Sequence, residues 1–174
     1  MGGTDVAEFH VRSYQAEDCD ACRTLWAELT ERHRELYGDP TIGGDDPGRH
    51  FDEHLERVGA GCIWVAESKG EVLGFIGLIL RDQEGEIEPA IVGAGHRGKG
   101  IGRALLERAV EEAKARGMRL AVVRPVARNA DAIAFFYNCG FCALGQLELV
   151  KDLGVPPSVV WRGGLDLLGH EFSY

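Results

Sequence analysis

Between Ile101 and Arg116 the apolar residues Ile101, Leu105, Ala109 and Ala113 recur four apart, and Leu106 and Val110 widen the stripe. Arg103, Glu107, Glu111 and Lys114 fall opposite, which predicts an amphipathic helix closed by Gly117 as its C-cap. Helical spacing of Cys22, Leu25, Trp26 and Leu29 predicts a second helix from Ala16 to about Leu36. Residues 49–58 read as a short helix, and Asn129 to Cys139 as another, opened by Asn129 and closed by Gly140. Alternation at period two predicts strands over 6–12, 85–92, 119–126 and 141–150, and a pair within 62–80 that turns at Lys69-Gly70. Pro89 inside the 85–92 strand marks an irregularity or a free edge. Gly, Pro and Asp make 37–48 a loop, and the Gly- and Pro-rich tail has room for one further strand.

This order of elements predicts an α/β fold. The expected sheet is mixed, with about six to seven strands flanked by about four helices. Its first half is antiparallel, and the step from 85–92 through the long helix to 119–126 is a parallel, right-handed βαβ unit. Length favours one domain, with a core over 6–150 and a tail over 151–174.

Composition removes several classes of function. Apolar residues make up 45% and charged residues 27%, an ordinary soluble balance, and no apolar run reaches membrane-span length. A net charge of -9 argues against a nucleic-acid backbone as partner; it suits solubility and, weakly, a cationic ligand. The N-terminus lacks an apolar h-region, and Val6 breaks the myristoylation pattern, so a cytoplasmic protein without a membrane partner is expected. Cys19/Cys22 and Cys139/Cys142 form two C-x-x-C pairs, far apart in sequence. They read as core filler and helix-end residues, and no metal is expected.

The stretch AIVGAGHRGKGIGRALL, residues 90–106, carries two overlapping phosphate-binding patterns. Gly93, Gly95 and Gly98 spell G-x-G-x-x-G, which needs a helix starting near Gly95 and an acidic residue roughly 20 positions on for a ribose. Residues 113–130 contain neither Asp nor Glu, and the helix would carry three glycines in its first turns. Arg97, Gly100 and Gly102 spell R-x-x-G-x-G, with the helix starting at Gly100 to Gly102 where the apolar stripe begins. Backbone amides without Cβ obstruction, added to the positive helix end, make a pyrophosphate cradle.

That second block resembles the acetyl-CoA loop, R/Q-x-x-G-x-G/A, of the GNAT superfamily of N-acetyltransferases. NADAIAFFYNCGF (129–141) resembles the family's later motif: an Asn, Ala-Ile, an aromatic pair and a closing Gly-Phe. The order of elements over 6–150 agrees. The resemblance implies acetyl-CoA in a cleft where the strands 85–92 and 119–126 splay apart, and no metal. The backbone near Val92 would face pantetheine and thioester, and amides of Arg97, Gly98, Lys99, Gly100, Ile101 and Gly102 would hold the pyrophosphate. Asn129 would face the pantetheine or simply cap its helix. The thiol-facing position, often Tyr, is Phe136 here, so Tyr137, one residue on and rotated by about 100°, is the candidate acid.

For the base, some family members place a Glu eleven residues before the R/Q. That position is Glu86, and period two puts Glu88 on the same strand face. Both are alternatively solvated edge carboxylates. Trp26 and Tyr37 are candidate walls for the acceptor, with His33, Asp39, Asp45 and Asp46 close in sequence, although the aspartates also suit turns. His50 and His54 lack the Glu of H-E-x-x-H and read as surface residues. The expected activity is acetyl transfer from acetyl-CoA to a primary amine of a small molecule or peptide, by direct attack in a ternary complex. The alternative is a non-catalytic acyl-CoA sensor of the same fold. A homodimer is left open.

Overall fold

The computed structural model describes residues 8–155 and 160–174. The chain divides into two compact units, one ending at Arg124 and one from Pro125 to Tyr174.

The first unit contains β1 (His10–Ser13), α1 (Cys19–Tyr37), α2 (Arg49–Val58), β2 (Ile63–Ser68), β3 (Glu71–Arg81), β4 (Glu84–Val92), α3 (Ile101–Ala115) and β5 (Leu120–Val122). The strands form one sheet in the order β1-β2-β3-β4-β5. Every neighbouring pair is antiparallel except β4 and β5, which are parallel and joined through α3, as a βαβ unit requires. The first two positions of the predicted 6–12 strand lie outside the described residues; β1 forms at its end.

Glycines in the sheet let the helices approach. A Cβ on Gly85 would lie 2.9 Å from Ala113 of α3, and one on Gly77 would lie 2.4 Å from His54 of α2. Gly85 pairs with Leu80 and so shares its face of the sheet, opposite to that of Gly77 by the period of two. The helices therefore cover both faces. On the α3 face, Ile101, Leu105, Leu106, Ala109 and Ala113 are buried, the predicted stripe, at roughly 1.5–3 kcal/mol for each large aliphatic side chain. Arg108 extends this face and places its guanidinium 4.8 Å from the Trp64 ring centre. On the other face, Tyr14, Cys22, Leu25, Phe51, Ile63, Val65, Phe75 and Ile91 form the core, with Trp26 packed against it.

Two irregularities shape β4. Ile76 pairs with Ala90 and Leu78 with Ile87, so one extra residue sits in β4 at Glu88-Pro89, opposite Gly77. Pro89 has no N–H to give to a ladder, which suits this bulge. Pairing with β5 covers only Glu84–Leu120, Gly85–Ala121 and Glu86–Val122. The predicted 119–126 strand is thus shorter than its alternation suggests.

The second unit holds α4 (Ala130–Asn138) and a hairpin of β6 (Gly163–Leu167) and β7 (His170–Ser173). Asn129 caps α4: its side-chain oxygen accepts from Ala132 N–H at 3.1 Å. Leu168 and Gly169 both have positive φ, the requirement of a two-residue hairpin turn. No strand forms over 141–150, contrary to its alternating pattern. Leu144, Leu147, Leu149 and Val150 are exposed there, and an alternating segment without a partner strand has nothing to satisfy its backbone. Seven strands form among the described residues, five in the main sheet and two in the hairpin.

Candidate active site

The loop after β4 is pinned on its inner side. Gly93 N–H donates to Leu73 O at 2.9 Å, and Ala94 N–H to a Glu28 carboxylate oxygen at 3.2 Å. One 3-10 turn, Ala94–His96, follows. Gly93 packs under α1, where an added Cβ would meet Leu25 at 3.3 Å. It terminates the strand, and the long helix begins at Ile101, not near Gly95, which removes the dinucleotide reading.

Beyond this turn the loop opens outward. Gly98 and Gly100 have φ of +76° and +84°, a region that glycine enters at little cost, and a Cβ at either position would meet nothing within 4 Å. Gly100 is the N-cap of α3, with no side-chain cap and no acidic residue in the first turn. The first bond inside the helix runs from Ala104 N–H to Gly100 O, so the amides of Ile101 and Gly102 have no helical acceptor. The positive end of the helix dipole adds to them. Arg97 and Lys99 are stitched back to the loop: Arg97 Nε donates to Val92 O at 3.1 Å, and Lys99 Nζ to Gly95 O at 3.0 Å. The arrangement suits a phosphate-bearing ligand.

Glu86 and Glu88 do not form a carboxylate pair. Glu86 stands at the last β4–β5 pair and is buried. One carboxylate oxygen is in close ion pairing with Arg124, and the other, Oε2, lies 3.2 Å from Arg81 Nε without making a hydrogen bond. Glu88 sits at the bulge with its side chain partly exposed and pairs with Arg57 at 3.3 Å. Each carboxylate has its own arginine partners.

Trp26 is half-buried, its ring close to those of Phe51, Phe75 and His54. Tyr37 is more exposed, at the end of α1. Asp39 accepts from both the amide and the hydroxyl of Thr41, the turn role its sequence context suggests, and Asp46 pairs with Arg23 at 2.9 Å. Burial lowers the pKa of His33.

His54 corrects the surface reading of the two α2 histidines. His50 is partly exposed and pairs with Glu53, but His54 is only 2% exposed and lies against Trp26 and Gly77. Phe51, Leu55 and Val58 carried the available signal, since an apolar stripe at that spacing brings position 54 to its edge. A glycine in mid-strand at 77 was the second sign.

In the second unit, Phe136 packs its ring against Phe135 and Phe141, at 5.1 and 5.8 Å between centres. Tyr137, next along α4, is 64% exposed. Among the described residues no group of three or more His, Cys, Asp or Glu is arranged for a metal, and no helix is long and apolar enough to cross a membrane. Burial pushes the Cys22 thiol up, consistent with inert core filler.

A groove of about 1100 Å³ runs between α1, the β2–β3 turn and the start of the loop, with Glu28, Glu31, Glu67 and Glu71 among its lining. Glu86, Glu88 and Trp26 do not line it.

Comparison with known proteins follows the same geometry. Residues 19–141 match the Acetyltransferase (GNAT) family. N-acetyltransferase family 8 member 3 of Rattus norvegicus is 30% identical over 108 residues, 59% of this chain and 45% of that protein. The chain thus spans less than half the length of that relative. L-methionine sulfoximine/L-methionine sulfone acetyltransferase of Salmonella typhimurium is 26% identical over 145 residues, 80% of this chain and 84% of that protein. The crystal structure of a GNAT-family acetyltransferase from Staphylococcus aureus superposes with a TM-score of 0.63 at 17% identity, covering 76% of this chain and 84% of that one, a likeness of fold.

Proposed function

The chain belongs to the acetyltransferase (GNAT) family, and from that membership we propose that it transfers the acetyl group of acetyl-CoA to a primary amine of a small molecule or peptide by direct attack in a ternary complex. The observation that carries this reading is the outward-facing Gly98–Gly102 loop. It delivers an uncapped helix start next to the end of β4, beyond the point where pairing with β5 stops. The Salmonella relative, named for two modified methionines, supports a small-molecule amine as acceptor.

Acetyl-CoA supplies the activated acetyl group. The amides of Arg97 through Gly102 hold its pyrophosphate, and the backbone near Val92 holds its pantetheine arm and gives the oxyanion a donor. Glu86 is the proposed base. Its carboxylate is paired with Arg81 and Arg124, and its unbonded Oε2 would take the proton from the amine through a water. Glu88, engaged by Arg57 at the bulge, is the second candidate.

The test supplies acetyl-CoA and a panel of amines and follows free thiol release. Turnover that falls about tenfold or more in Glu86→Gln, and less in Glu88→Gln, supports the assignment. Tight acetyl-CoA binding without turnover on any amine favours the acyl-CoA sensor, the reading that Phe136 in place of a Tyr leaves in play.

A further inference from the structure

Four charged side chains meet where the β3–β4 hairpin runs beside the end of β5. Ile79 pairs with Glu86 and Arg81 with Glu84, so Gly77, Ile79 and Arg81 follow at period two on the sheet face that α2 approaches, and both glutamates share that face. Arg124, two residues past the last β5 pair, turns back to them. It is in close ion pairing with Glu86 Oε1, and its Nη2 lies 3.7 Å from Glu84.

These charges are unequally committed. Arg124 serves both glutamates, and Arg57, a third arginine on this face, is engaged by Glu88 and His54. Arg81 donates no hydrogen bond among the described residues. Its one ion pair there runs from Nε to Glu86 Oε2 at 3.2 Å without hydrogen-bond geometry, and its side chain is 58% exposed. Glu84 stands directly across the ladder from Arg81 yet leans to Arg124. Arg81 therefore presents a fork of free N–H donors beside a buried carboxylate oxygen that itself has no hydrogen-bond partner. A guanidinium fork matches a carboxylate, two N–H groups to two oxygens. An uncommitted cation next to an uncommitted carboxylate oxygen complements a ligand with the opposite pair, an anion and an amine close together.

We propose that Arg81 binds the carboxylate of the acceptor, and that the acceptor is a free α-amino acid, whose amine is one carbon away from that carboxylate. This rests on the acetyl-transfer reading with Glu86 as base. A ligand held by its carboxylate at the exposed edge of the Arg81 fork lies beside Glu86, and an amine so close to the carboxylate stays within reach of Glu86 through a water. A peptide N-terminus lacks the anion, because its α-carboxyl is an amide, and so does a simple alkylamine.

The experiment gives the full chain acetyl-CoA with the proteinogenic L-amino acids, the α-amide of each, and the amine each leaves on losing its carboxyl, and follows thiol release. The wild type is expected to favour the best acid over its amide and its amine by about tenfold or more in kcat/KM. Arg81→Met, which keeps the stem without the charge, raises the KM for the acid about tenfold and leaves kcat/KM for the amide within about twofold, so the preference collapses. Arg81→Lys, which keeps the charge without the fork, falls between. The acid-to-amide ratio is the deciding readout, because a residue that merely holds Glu86 would slow acid and amide alike. A wild type without preference for the acid, or an Arg81→Met variant in which acid and amide fall by the same factor, overturns the inference alone. A wild type that acetylates no amine overturns the transfer reading and the inference with it.

Discussion

Arg97 turns its side chain back onto the strand it follows, donating from Nε to the Val92 carbonyl at 3.1 Å. The first residue of the R-x-x-G-x-G block thereby braces the loop, while the backbone amides are left to face a ligand. Arg97→Ala should weaken acetyl-CoA binding by about tenfold through a looser loop. The side chain is exposed, so the thermal midpoint should move little. Calorimetric titration beside a melting curve checks both, and a large loss of stability would contradict the bracing role.

Gly100 separates backbone strain from crowding. Its φ is +84° and an added Cβ meets nothing, so Gly100→Ala should cost about 1 kcal/mol from conformation alone. Acetyl-CoA affinity should fall further, because the helix start that presents the amides must shift. Gly95→Ala is the control: φ there is not in the left-handed region and the space is open, so neither stability nor affinity should change appreciably. Equal affinities in the two variants would argue against the loop as the phosphate cradle.

Tyr137 is expected to be dispensable. It is 64% exposed, and Phe136, not Tyr137, packs into the ring cluster of its unit. Tyr137→Phe should leave thiol release within about twofold of wild type. A tenfold drop in kcat would restore Tyr137 as the acid.

Acid should act on the fold in two steps. The His54 pKa is lowered from 6.5 to about 4, so the unfolded chain takes up this proton first. Its contribution is present above pH 6.5 and is lost as pH falls towards 4, at most about 3 kcal/mol. Asp18 follows. Burial alone would raise its carboxyl, but Arg12, bonded to both oxygens at 2.7 and 2.8 Å, and the Gln15 amide outweigh burial and leave it below 3.8. That contribution is present above pH 3.8 and is lost as pH falls through the lower folded value. Denaturant melts across pH should show His54→Leu flattening the first step and Asp18→Asn the second.

Much of this was legible in the chain. The α3 stripe, the Gly117 end, the Asn129 cap and the helix start after Gly100 all follow from spacing and glycine placement, because each is satisfied within a few residues of itself. Pro89 announced an irregularity in its strand, and the bulge lies there. The alternation over 141–150 was misleading, since a strand needs a neighbour and alternation does not supply one.

By itself, then, the sequence determined the βαβ unit, the family and the glycine loop that opens α3, because periodicity, capping and positive φ are local properties. Tertiary structure alone decided that Glu86 lies buried between Arg81 and Arg124 while Glu88 goes to Arg57, and that His54 sits over Gly77. These depend on which helix covers which face and on one extra residue in one strand. Burial and pairing at such points are set by residues dozens of positions away in the chain.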